Sequence, residues 1–72
     1  MDKKDQLAEL ISNAETSFYN GQLQEAFSLS LSAIKLDENC ADAYQYAANV
    51  CMSLSRYEDA IEYYQKVQIY IM

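Results

Sequence analysis

The sequence contains no histidine, no proline and no tryptophan, a single glycine, two cysteines, and only five basic residues against eleven acidic ones. Without histidine the commonest general base and metal ligand is missing, and two cysteines cannot build a structural zinc site. One glycine cannot supply the glycine-rich loops that cradle phosphate groups. The shortage of basic residues leaves a formal charge of −6. Nucleic acid and anionic lipid are poor partners for such a surface, because both demand concentrated positive charge, and Lys3-Lys4 is the only basic pair. No apolar run approaches the roughly 18 residues of a membrane-spanning helix. The first residues are polar and charged, with no secretory pattern, so Cys40 and Cys51 are expected as reduced thiols in a soluble, cytoplasmic protein.

What is present is a compact helical composition. Hydrophobic residues make up 51% of 72 positions, well clear of the disordered class. The length allows one small all-α domain over residues 1–72. A domain of this size buries only about 60% of the surface its unfolded chain exposes, so a covering partner is expected.

Apolar side chains recur at three- and four-residue spacing in four stretches. Leu7, Leu10, Ile11, Ala14 and Phe18 define a helix over about 3–19, with Asp2 as its cap and Asn20-Gly21 as its stop. Leu23, Ala26, Phe27, Ser30, Ala33 and Ile34 define a second over about 22–36. Asn39 is expected to cap a third that ends near Ser53. Ser55 with Glu58 reads as a capping box for a fourth, from about Arg56 onward. Connections this short make neighbouring helices antiparallel, giving two helical hairpins in series.

The two hairpins repeat. An offset of 34 residues pairs Leu10 with Tyr44, Ala14 with Ala48, Ser17 with Cys51, Phe18 with Met52, Leu23 with Tyr57, Ala26 with Ala60, Phe27 with Ile61 and Ala33 with Val67. Residue class is kept at each pair, and the alanines fall where close helix approach needs a small side chain. An ordinary four-helix bundle shows similar amphipathic faces but requires no such register.

A period of 34 residues is that of the tetratricopeptide repeat (TPR), and the second hairpin resembles that family closely. Tyr44, Ala47-Ala48, Cys51, Tyr57, Ala60, Tyr64 and Val67 fall on its signature positions. The first hairpin matches through Ala14, Gly21, Leu23, Ala26 and Ala33, and departs at Asn13, Ser30 and Glu38. The resemblance implies a right-handed superhelical stack of two antiparallel hairpins, repeat 1 over about 7–40 and repeat 2 over about 41–72.

It also implies a protein-interaction module, a scaffold or chaperone-like adaptor, with a concave groove lined by the first helix of each hairpin. The groove residues would be Ile11, Glu15, Phe18 and Tyr19, facing Asp42, Gln45, Asn49 and Met52, although Phe18 and Met52 fit a role as core between hairpins equally well. The occupant expected from the charge is a basic or amphipathic peptide or helix of another protein. The clamp by which some family members hold a chaperone C-terminal carboxylate is not expected, since Ile11, Glu15 and Tyr46 stand at its basic and amide positions. No catalytic constellation, metal site or cofactor motif emerges. Glu58, Asp59 and Glu62 read as a solvated helix face, and enzyme activity is not expected. A homo-dimer or part of a longer repeat array is expected, held through the apolar terminal helix by Tyr63, Val67, Tyr70 and Ile71, and an assembly unit of this kind is the alternative function, compatible with groove binding.

Overall fold

The computed structural model describes residues 2–71, and Met72 of the C-terminal apolar run lies outside them. Four helices account for nearly all of that span: α1 (Lys3–Tyr19), α2 (Leu23–Leu36), α3 (Ala41–Ser53) and α4 (Tyr57–Ile71). The chain is all-α, and no strand occurs among the described residues. Asp2 caps α1 as its sequence position requires, its carboxylate accepting from the Lys4 amide at 3.4 Å.

The 34-residue register is written into the backbone of the two hairpin turns. Gly21 closes α1 in the left-handed conformation at φ 79°, and Ser55, 34 positions on, closes α3 at φ 62°. The Gln22 amide donates to the Ser17 carbonyl at 2.9 Å, and the Arg56 amide to the Cys51 carbonyl at 2.8 Å. Gly21 likewise donates to Phe18, and Ser55 to Met52, both at 3.1 Å. These paired bonds satisfy the last free carbonyls of each helix by the same C-terminal motif. Ser55 is therefore the stop of α3 rather than a capping-box residue for α4, and its hydroxyl accepts a long bond from the Tyr57 phenol at 3.4 Å.

The linker between hairpins also differs from expectation. Cys40, in extended backbone, precedes α3 without a side-chain cap. Asn39 serves as a turn residue, its amide donating to the Asp37 carboxylate at 3.0 Å. An Asp side chain reaching two residues on organises the turn locally and leaves Asn39 no capping role. Tyr44 then pins the linker to α3, its phenol donating to the Glu38 carbonyl at 2.8 Å.

The interior is built from small side chains. Ala14, Ala26, Ala33, Ala43, Ala47, Ala48 and Ala60 are fully buried, and the largest fully buried residues are only Val50, Cys51 and Ser30. Ser30 is accommodated because its hydroxyl bonds back to the Ala26 carbonyl at 2.8 Å. Larger groups ring this small-residue centre. Tyr44 stacks on Tyr70 at 5.5 Å, while Tyr63 lies 6.3 Å from both Tyr44 and Phe27.

The order of packing is sequential. α2 lies against α1 and α3, α1 touches α3 more lightly, and the α4 backbone comes close to α3 alone. A closed bundle would bring α4 back against α1. The molecule is instead a slab of 35 × 29 × 15 Å. Its thickness is that of about two helix layers, and a 17-residue helix accounts for roughly 25 Å of its length. The exposed area, 4717 Å², matches the roughly 4,600 Å² of an ordinary monomer of this mass.

Two stability measurements check this architecture. Nothing lies within 4 Å of a Cβ built on Gly21, so Gly21→Ala isolates the left-handed backbone penalty and should lose about 1 kcal/mol in urea unfolding. Ser55→Gly should gain up to about 1 kcal/mol at the equivalent position; a loss there would mean that the two turns are not equivalent. Ala48→Leu should destabilise by about 1–3 kcal/mol through overpacking, while Ala8→Leu, at an exposed position, should stay within about 0.5 kcal/mol.

Candidate functional site

The first helices of the two hairpins, α1 and α3, are joined directly by one side-chain bond. The Tyr46 phenol donates to the Glu15 carboxylate across the gap. That bond, with burial second, pushes the Tyr46 pKa up to about 12, because ionisation would set a phenolate against a carboxylate. The phenol thus keeps its proton, and the bond, throughout the neutral range.

Next to this bond a shallow cleft of about 430 Å³ opens between α1 and the start of α3. Leu7 and Ile11 give it an apolar floor and Glu15 and Asp42 acidic edges, with Lys4, Ala8, Ser12 and Cys40 completing its lining. Three of the groove residues expected from the sequence, Ile11, Glu15 and Asp42, are therefore brought together here. Leu7 and Cys40 join them. Leu7 carries a signal in the sequence, being on the same apolar face as Ile11. Cys40 carries none, since its place depends on how the Asp37 turn delivers the chain into α3.

The other groove positions are engaged differently. Gln45 donates to the Asn49 side-chain oxygen at 3.2 Å, and the Tyr64 phenol donates to that same oxygen at 2.7 Å. The amide pair is thereby fixed one turn apart on α3 and tied to α4. Phe18 is half-buried with its ring edge-on to Tyr19 at 5.4 Å, and Tyr19 is largely exposed. Met52, the register mate of Phe18, is exposed.

Of the terminal-helix residues expected at an assembly interface, three are used inside the molecule. Tyr63 packs between Phe27 and Tyr44, Tyr70 stacks on Tyr44, and Val67 is buried. Ile71 is 70% exposed. Burial pushes the Tyr44 and Tyr63 phenols above their ordinary pKa and does the same to the Cys51 thiol, so none is an activated group.

Another hollow, of about 610 Å³, lies away from the expected groove, between α1 and α2. Glu9, Leu10, Asn13, Ser32, Lys35 and Leu36 line it. Its α1 residues occupy the register positions of Ala43, Tyr44 and Ala47, which α3 buries against its neighbours. The hollow is thus the outer face of the first hairpin, with a carboxylate and an amide where the second hairpin carries two alanines. Among the described residues no helix is long and apolar enough to cross a membrane, and no three Cys, Asp or Glu side chains converge as a metal site.

Comparison with protein-family models, curated proteins and solved structures returns no match for this chain.

Proposed function

We propose that this chain is a protein-interaction module of the tetratricopeptide type, binding a basic or amphipathic peptide or helix of a partner protein in the cleft between α1 and α3. The observation that supports this reading is the cleft itself, where an apolar floor at Leu7 and Ile11 lies between the carboxylates of Glu15 and Asp42. Such a surface complements a segment with alternating apolar and cationic side chains. The proposal includes the right-handed superhelical stacking that the resemblance implies, a cytoplasmic location, and a role without catalysis or cofactor. With two hairpins the contact area is below that of a standard interface, so affinity should be modest and salt-sensitive.

A second reading, assembly through the terminal helix as a homo-dimer or in a longer array, is favoured by one observation: Ile69 and Ile71 of α4 are both largely exposed.

Titrating the isotope-labelled chain with a synthetic helical peptide of leucine and lysine separates the two. The groove reading expects amide shifts centred on Leu7, Ile11 and Asp42, and about three- to tenfold weaker binding after Asp42→Lys. Ile71→Glu should leave that binding unchanged. Shifts confined to α4 and abolished by Ile71→Glu would replace the groove with the assembly surface.

A further inference from the structure

The molecule contains a covered and an uncovered copy of the same face. Phe18, Leu23 and Phe27 of the first hairpin are half-buried. Phe27 in particular is met by the Tyr63 ring at 6.3 Å and by the Arg56 guanidinium 5.5 Å above its own ring. Thirty-four residues on, Met52, Tyr57 and Ile61 occupy the same register positions and are 46%, 56% and 56% exposed. On α4, Tyr57, Ile61 and Tyr64 follow the four- and three-residue spacing of a single helix face.

The covered copy shows what this kind of face accepts. What lies beyond the first hairpin begins with α3, whose Ala43 and Ala47 are fully buried four residues apart with Tyr44 between them. It also brings a cation, Arg56, onto the aromatic ring. A helix with small side chains at that spacing permits close approach, and a positive group suits the exposed Tyr57 ring. Charge points the same way, because the exposed carboxylates of Glu58 and Glu62 directly follow Tyr57 and Ile61 along α4.

A second copy of this chain fits the face poorly by either route. Its outer α1 face puts Glu9 and Asn13 at the register positions where α3 carries Ala43 and Ala47. Pairing through the same α4 face, with a two-fold axis between Ile61 and Tyr64, sets Glu62 beside its own symmetry mate, on chains of charge −6 each.

We infer that the face formed by Met52, Tyr57 and Ile61 docks an α-helix of another protein that carries small residues four apart and lysine or arginine along its flanks. This surface is distinct from the α1–α3 cleft and does not depend on the reading of that cleft.

The test uses two synthetic stapled helices with an Ala-Tyr-x-x-Ala core, one flanked by lysines and the other by glutamates. The lysine-flanked helix should bind at least about tenfold more tightly. It should shift the Met52 and Ile61 methyl resonances, and Ile61→Glu should abolish the Met52 shift, while Asp42→Lys in the cleft leaves both shifts in place. The paired changes Glu58→Lys and Glu62→Lys should reverse the preference toward the glutamate-flanked helix, a readout that does not depend on how Ile61→Glu folds. Binding of neither helix, or binding mapped to Leu7 and Ile11 with no shift at Met52 or Ile61, would overturn the inference. Sedimentation of the chain alone as a dimer dissociated by Ile61→Glu would also overturn it, by making the second copy the occupant.

Discussion

Close approach of helices through alanine is the constraint on which the rest of this structure depends. Among the described residues seven alanines are fully buried, and no fully buried side chain is larger than valine. Each buried methyl contributes only about 0.8 kcal/mol of transfer free energy, so stability has to come from many short contacts rather than from a few large ones. The consequence is positional strictness. At a centre of this kind an added methylene has nowhere to go, which is why alanine recurs at 14 and 48 and again at 26 and 60. Large side chains are displaced outward, where Phe27, Tyr44, Tyr63 and Tyr70 form an aromatic flank along the seam between hairpins.

The helices and their repeat were legible in the sequence because two independent local signals agree there. Apolar periodicity places α1 to α4 within a residue or two of their observed bounds, and the 34-residue offset aligns the buried alanines. The turns were legible only in part. Gly21 announces its left-handed backbone through its residue type, whereas Ser55 adopts the same conformation under the pull of the repeat and its type points elsewhere. The linker misled for a related reason. Asp37 and Asn39 are both residue types that cap helices, yet Asp37 takes the Asn39 amide in the turn and neither caps α3, an outcome set by the path of the chain into α3, a tertiary property.

The candidate site was legible to a smaller degree. Ile11, Glu15 and Asp42 converge because helix periodicity and the repeat together fix which faces of α1 and α3 meet. Tyr46 bridging to Glu15, and Tyr64 reaching Asn49, are contacts between distant positions that periodicity cannot assign. The terminal aromatics show the same limit. Tyr63 and Tyr70 look surplus along the sequence, yet the seam uses both, and the exposed apolar surface shifts to Met52, Tyr57 and Ile61. The register makes the contrast plain, since Phe18, Leu23 and Phe27, the mates of that set 34 residues earlier, are half-buried.

Two equivalent hairpins pack in sequence, with α4 turned away from α1. Nuclear Overhauser contacts in the isotope-labelled chain measure this directly. Cross-peaks are expected from Phe27 to Tyr63 and from Tyr44 to Tyr70, and none between α1 and α4. Cross-peaks joining α1 side chains to α4, as a closed four-helix bundle produces, would contradict it.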